Sequence, residues 1–514
     1  MCDRSEKRQK SEILIKGGIM LRTAQQYVES LRDGRVIYLN GQKIPDITKN
    51  PEFKGSINAR ALSYELYDHP KFKDLLTLEE KGERSLFLWK QPKNREDLLR
   101  RREVYLACMR WGAAMSGMGP DALAASGVVA ARTDKALGTH YTDAVEDYRK
   151  HLRQTDPAIT GAITDIKGNR GLRPSAQEQH KDFYVRVVER LKDGIIVRGA
   201  KMHISATPSA NELIVSPCRA HREEDKDYAV VFATPVNAKG IKLFTSPPTV
   251  DEIGEEAEWN WPKSGRLRGV SECMIVFDDV FVPWNRVFMC GEWQFSRDQA
   301  WMFGVFHRLY GTCHKVISTE EAAGIGALMA EYNGIDRYPH VQEKLAWLAM
   351  HAQLVDAMSR AGCDHPDVFP DIGLAAPAQM YTNIAKLIFA DDQHEQSKVL
   401  ADICGGVATT VFNYKDWMNA EERPFIEKYL AGKVGIPTEH RIRAVRLVKD
   451  MIGHGHDGAY IHTEGSLAAQ KMAIYAVADW ARYKAIAKRI AGIPGWKDNP
   501  TLKELPDWPP KYII

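Results

Sequence analysis

The chain lacks the local signatures that identify the commonest nucleotide and hydrolase sites. Its 514 residues contain no P-loop, no strand–GxGxxG–helix, no GxSxG and no HExxH. Any nucleotide cofactor must therefore be held by another arrangement. Its eight cysteines form no CxxC pair, and a disulfide framework belongs to short secreted chains. They read as reduced thiols of a cytoplasmic protein. Charge of one sign is also lacking: 70 Lys and Arg face 67 Asp and Glu, so nothing points to nucleic acid. No apolar run has the length of a membrane span, so no membrane partner is expected. The opening "MCDRSEKRQKSEILIKGG" has no apolar signal core. Residues 1–19 are expected to be a disordered extension, with Met1 and Met20 both open as the start.

What is present divides into three textures. Residues 20–153 read as an N-terminal helical domain. Within it "NREDLLRRREVYLACMRWGAAMSGM" reads as one helix with an acidic first turn. Residues 154–290 read as a β-barrel domain, in which "DGIIVRGAKMHIS", "DYAVVFATPV", "IKLFTS" and "ECMIVFDDVFVPWNRVF" are β-branched runs between turn residues. Pro283 is expected to end a strand, because it cannot donate to a ladder. Residues 291–492 read as a C-terminal helical bundle. Ser318 followed by Glu321 predicts a capped helix start in "STEEAAGIGALMAEY". "VQEKLAWLAMHAQLVDAMSRAG" and "AAQKMAIYAVADWARYKAIAKRIAG" predict long amphipathic helices, each closed by glycine. Residues 493–514 form a Pro-rich tail expected to wrap a surface or a neighbouring subunit. The fold class is α+β, and helices, a β block and a bundle in this order suit an acyl-CoA-dehydrogenase-like architecture.

Four stretches carry candidate chemistry. "TDIKGNRGLRPSAQ" holds three cations and two glycines, which suit a phosphate or carboxylate, or a solvated basic loop. "DICGGVATT" is a helix end whose Gly405 and Gly406 would admit a pyrophosphate, or simply cap the helix. "AKMHISATPSAN" offers Ser205 and Thr207 after a strand, for a flavin edge or for a polar turn. "HRLYGTCHKV" crowds His307, Tyr310, Cys313, His314 and Lys315 into one helical segment.

With "MLRTAQQYVESL", "GAITDIKGNRGLRPSAQ", "VFDDVFVPWNRVF", "HRLYGTCHKV" and "DICGG", the chain resembles the 4-hydroxyphenylacetate 3-hydroxylase superfamily, and within it most closely the 4-hydroxybutyryl-CoA dehydratase branch. The resemblance implies the acyl-CoA-dehydrogenase-like fold, FAD and a homotetramer. It makes Asp165, Arg170, Ser205, Thr207, Gly405 and Gly406 the expected cofactor contacts.

The dehydratase branch adds an iron–sulfur cluster held by a Cys-x3-Cys pair and by a His and a Cys seven residues apart. Here Gly112 and Ser116 stand at the pair, and His307 matches the histidine. His314 stands seven residues on, while Cys313 is one position short and points elsewhere on the helix. Clusters need thiolates, so no iron–sulfur cluster and no other metal is expected. The hydroxylase branch uses an Arg, a Tyr and a His for its phenol. Arg110 matches the first, but Ala113 and Gly161 replace the others. Tyr310, Lys315 and Glu464 match polar positions near the dehydratase substrate. With Arg110 and His307 they are the expected catalytic set.

The resemblance implies an FAD-dependent monooxygenase that takes reduced flavin from a separate reductase and uses O2 to hydroxylate an aromatic or similarly electron-rich small molecule. The alternatives are a cluster-free acyl-CoA dehydratase or isomerase, and a non-catalytic flavin-binding protein.

Overall fold

The computed structural model describes residues 21–504, except 81, 116, 246–254, 264–270 and 454–464. The N-terminal part carries α1 (Ala24–Ser30), β1 (Ile37–Leu39), β2 (Gln42–Lys43), α2 (Pro51–Glu65), β3 (Thr77–Glu80) and β4 (Glu83–Leu86). Three more helices follow: α3 (Arg95–Arg110), α4 (Met118–Leu137) and α5 (Tyr141–Thr155). Asn50 and Asn94 accept from backbone amides of the first turns of α2 and α3, which fixes where those helices begin. The segment expected to be a single helix through "RWGAAMSGM" instead leaves the helix after Arg110. Gly112 takes φ 71°, a left-handed value that ends a helix, and α4 starts afresh at Met118.

The middle part supplies β5 (Ile159–Ala162), β6 (Arg186–Arg190), β7 (Gly194–Lys201), β8 (Glu212–Val215), β9 (Val230–Pro235), β10 (Ile241–Thr245), β11 (Cys273–Pro283) and β12 (Val287–Cys290). They form two sheets, ordered β2-β1-β10-β11-β7-β6 and β12-β9-β8-β5. Strand β11 ends at Pro283 as expected. The first sheet borrows from the N-terminal part: β1 lies parallel to β10, with Ile37 opposite Leu243. The N-terminal region is therefore not purely helical. A three-residue apolar strand is too short to stand out in a helical stretch of sequence.

The C-terminal part opens with α6, one unbroken helix from Ser296 to Tyr332, packed with α7 (Pro339–Asp364) and α8 (Gln379–Cys404). Ser318 therefore caps nothing. It is buried in mid-helix, and the neighbouring Thr319 hydroxyl donates back to the carbonyls of Lys315 (2.9 Å) and Val316 (3.0 Å). Gly362 does not close α7, which runs on to Asp364. Beyond α9 (Thr438–Gly453) the predicted last helix is two, α10 (Leu467–Val477) and α11 (Trp480–Ile490). Asp479 caps the second by accepting from the Arg482 amide at 2.9 Å. The described part of the tail folds back on its own chain, where Trp496 and Leu502 pack with Ala485.

One apolar core runs through all three parts, from Tyr27 and Phe53 through Phe232 and Phe277 to Phe306 and Phe389. Asp156 ends α5 at its edge with φ 42°. It is fully enclosed, and its carboxylate accepts from the Arg22 amide at 3.2 Å. Burial pushes the Asp156 carboxyl up to about 7, against smaller opposing effects of Arg22. The folded chain thus binds this proton more tightly than the unfolded chain does. Stability drops as pH rises from the ordinary carboxyl value, about 4, through 7. Asp156→Asn, which tolerates the left-handed backbone, should raise Tm at pH 8. The gain should shrink toward zero near pH 4. A gain independent of pH would rule out burial of the charge as its source.

Candidate active site

Helices α3, α4 and α6 bring together four polar side chains in the core. Arg101 and Tyr105 are four residues apart on α3 and so share a face. Asp121 lies in the first turn of α4, where the helix dipole favours a carboxylate. His307 comes from α6. Arg101 Nη1 and the Tyr105 hydroxyl each donate to Asp121 Oδ1 at 3.1 Å. Asp121 Oδ2 lies 3.2 Å from His307 Nδ1. Arg101 also donates to the carbonyls of Leu88 (3.1 Å) and Lys90 (2.8 Å). Asp121 is 0% exposed, and the other three are 5% or less.

A charge this deep is tolerable only when paired and hydrogen-bonded. Burial alone would lower the Arg101 pKa, but Tyr105 and Asp121 outweigh it and the net shift is upward. Burial, reinforced by Asp121, pushes the Tyr105 hydroxyl well above its ordinary value. The tyrosine therefore stays a donor.

An aromatic column rises from this cluster along α6. The His307 ring stacks on Phe303 at 4.9 Å and on Tyr310 at 5.3 Å, and His314 meets Tyr310 edge-on at 4.8 Å. Tyr105 closes on Tyr310 from α3, also edge-on, at 5.1 Å. Gly117, just before α4, makes this approach possible. A Cβ there would sit 2.6 Å from the Tyr310 ring. His307, Tyr310 and His314 thus share a face, as their spacing predicts. Cys313 points away, with its Sγ 3.9 Å from the Arg102 carbonyl, and burial raises its pKa. Cys313 and His307 do not converge, so the donor geometry does not fit a shared iron–sulfur cluster.

Lys315 and Arg110, also expected to be catalytic, make contacts of their own. Lys315 is fully buried with Nζ 5.9 Å from the Phe389 ring of α8. Arg110, at the end of α3, is half exposed and donates to both Glu320 carboxylate oxygens at 2.9 and 3.2 Å. It ties α3 to α6. Glu464 lies outside the described residues.

The expected cofactor residues also divide. Asp165 is buried and pairs with Lys201 Nζ at 2.5 Å, while Cys218 Sγ donates to its other oxygen at 3.1 Å. His221, Tyr184 and Tyr228 line a small cavity beside this pair. Burial holds His221 down at about 4, so it is neutral near pH 7. Thr207 is fully buried, and its hydroxyl donates to the Ile204 carbonyl at 3.1 Å. Ser205 is half-buried and donates to Glu272 at 2.7 Å.

Arg170, Gly405 and Gly406 lie on the surface. A Cβ at either glycine would meet no atom within 4 Å, so that backbone is open to an approaching group. Three cofactor candidates, Arg170 and the glycine pair, are thus available, while Asp165 and Thr207 are committed inward. Asp225 orders the basic loop, accepting from Arg173 and from the Ser175 amide and hydroxyl (3.0 and 2.6 Å). Sequence reasoning missed Arg101, Tyr105, Asp121 and Lys201. The only trace of the first two was their i, i+4 spacing, which any amphipathic helix shows.

A buried charged cluster set in a helix bundle, and braced against a two-sheet β part, defines an α+β enzyme. The comparisons give it a family. The model of the 4-hydroxyphenylacetate 3-hydroxylase N-terminal part matches residues 23–289, and that of the C-terminal part matches 296–492. The chain belongs to the 4-hydroxyphenylacetate 3-hydroxylase family. It is 31% identical to the 4-hydroxybutyryl-CoA dehydratase/vinylacetyl-CoA-Δ-isomerase of Clostridium aminobutyricum, over 92% of this chain and 100% of that one. It is also 31% identical to the oxygenase component of 4-hydroxyphenylacetate 3-monooxygenase of Thermus thermophilus, over 84% of this chain and 88% of that one. Among solved structures, such an oxygenase component complexed with FAD superposes with a TM-score of 0.82 at 28% identity. That match covers 91% of this chain and 98% of the other.

Proposed function

We propose that the chain is the oxygenase component of a two-component, FAD-dependent monooxygenase that hydroxylates an aromatic or similarly electron-rich small molecule. The observation that carries this reading is the donor set. Gly112 replaces a thiolate that the dehydratase branch uses, and Cys313 turns away from His307. FAD, when bound and reduced, supplies the electrons that activate O2. Arg170, Ser205, Gly405 and Gly406 would hold the cofactor, and Asp165 supports the loop that carries Arg170 from within. His307 and Tyr310 would face the substrate, with proton handling as their task.

Reduced flavin would come from a separate reductase. The enzyme would work in the cytoplasm as a homotetramer. The exposed Met472, Tyr475, Trp480 and Tyr483 of α10 and α11 support association, because aromatic side chains in such a patch favour a partner surface. No described helix is long and apolar enough to cross a membrane. The second reading, a cluster-free acyl-CoA lyase or isomerase, is favoured by the end-to-end match to the dehydratase.

The test offers the full chain chemically reduced FAD and 18O2, with 4-hydroxyphenylacetate, 4-nitrophenol and related phenols. Anaerobic 4-hydroxybutyryl-CoA is a parallel arm. A product carrying one 18O atom is expected. Loss of water from the thioester, with no labelled phenol product, would overturn the hydroxylase reading in favour of the lyase.

A further inference from the structure

We infer that Asp121 is a positioning residue that fixes His307 as its Nδ1–H tautomer, leaving Nε2 as the proton acceptor for a substrate hydroxyl. The argument starts from the oxygens of Asp121. Oδ1 already receives two donors, Arg101 Nη1 and the Tyr105 hydroxyl, both at 3.1 Å. An ionised carboxylate only accepts. Arg101 is 2% exposed, and its remaining bonds to the carbonyls of Leu88 and Lys90 hold it in place beside Asp121. Arg101 and Asp121 form a buried ion pair, because a lone buried charge of either sign would be far costlier.

The hydrogen between Asp121 Oδ2 and His307 Nδ1, 3.2 Å apart, therefore belongs to the histidine. A neutral imidazole carries one N–H, so Nε2 keeps its lone pair. The ring cannot readily turn over to exchange its nitrogens. Phe303 and Tyr310 stack on it at 4.9 and 5.3 Å. Among the described residues nothing bonds to Nε2.

The consequence is a directed proton transfer. A substrate O–H bond breaks and an Nε2–H bond forms. The electron pair stays on the substrate oxygen, and the imidazolium charge falls beside Asp121, which stabilises it. An aromatic ring bearing that oxyanion is richer in electrons, as an electrophilic hydroxylation requires. The nature of the substrate rests on the hydroxylase reading, whereas the tautomer does not.

The experiment reads the tautomer directly. The full chain, labelled with [15N]histidine and free of flavin and substrate, is studied by solid-state NMR at pH 8. The His307 signals are identified by difference from His307→Gln. The expected result is a protonated Nδ1 and an unprotonated Nε2. Asp121→Asn keeps the size but can donate from its amide, so the unprotonated signal should move to Nδ1. Tyr105→Phe, which removes one donor and leaves the charge pair, should not move it.

A wild-type His307 protonated at Nε2 would overturn the assignment without any variant. So would an unchanged tautomer in an Asp121→Asn chain of unchanged circular dichroism. Failure here with a labelled phenol product above would leave the hydroxylase reading standing. The expected tautomer without such a product would reverse that outcome.

Discussion

Replacing Lys201 by Met is expected to cost about 3–5 kcal/mol of folding stability, the usual loss when one partner of a buried ion pair is removed. Lys201 and Asp165 are both buried. Nζ donates to Asp165 at 2.5 Å and to the carbonyls of Ile163 (2.9 Å) and Ser216 (2.8 Å). Methionine fills the volume but strands a carboxylate and two carbonyls in the core. The single ammonium joins the end of β7 to the residues that follow β5 and β8. Its loss should therefore loosen the basic loop that starts at Asp165. Urea denaturation of the full chain measures the change. Asp165→Leu added to Lys201→Met should recover much of the loss, since an apolar pair often matches a buried ionic one. A drop below about 1 kcal/mol for the single variant would mean that the pair is not a strut.

His307→Gln is the second large effect. If His307 receives the hydroxyl proton, its loss should lower the rate of labelled product formation by about 10^2–10^4-fold, the usual range for a general base. FAD affinity, measured by fluorescence titration, should change little, because His307 bonds only Asp121 among the described side chains and none of the expected flavin residues. The substrate is whichever phenol the labelling panel identifies. A rate within about fivefold of wild type would remove His307 from the proton path, because general-base catalysis is worth far more than that.

The sequence announced β7 and β9–β12, while β1–β6 and β8 left no such signal. Runs such as "DYAVVFATPV" are β-branched and bounded by turn residues, and Pro283 ends β11 in the structure as it should. The helix boundaries were less legible. Ser318 and Glu321 satisfy a capping pattern in the middle of α6, because the pattern is local and the packing that extends the helix is not. Asp479 stands inside an apolar periodicity that hides its capping role.

The site divides in the same way. His307, Tyr310 and His314 could be placed on one face, because helical spacing fixes that before any tertiary contact forms. Asp121, Arg101 and Tyr105 could not be joined to them. That union depends on α4 docking against a helix almost 200 residues away, which no periodicity encodes. Asp165 was expected as a cofactor contact from the resemblance, whereas its carboxylate is taken up by a buried ion pair. Its partner Lys201 ends an apolar strand, and nothing local in the sequence marks it as the other half of a buried pair.

The pairing of β1 with β10 has a further consequence for how the chain reaches its native state. Ile37 and Leu243 are roughly 200 residues apart, so among the described strands this pairing spans the most sequence. Closing such a loop carries a heavy entropic cost that a three-residue strand repays poorly on its own. The contact should therefore form late, after β10 and β11 have zipped together. Until then the outer edge of β10 is an unpaired template for another chain. Aggregation during synthesis should accordingly be governed by how promptly residues 37–39 return to that edge.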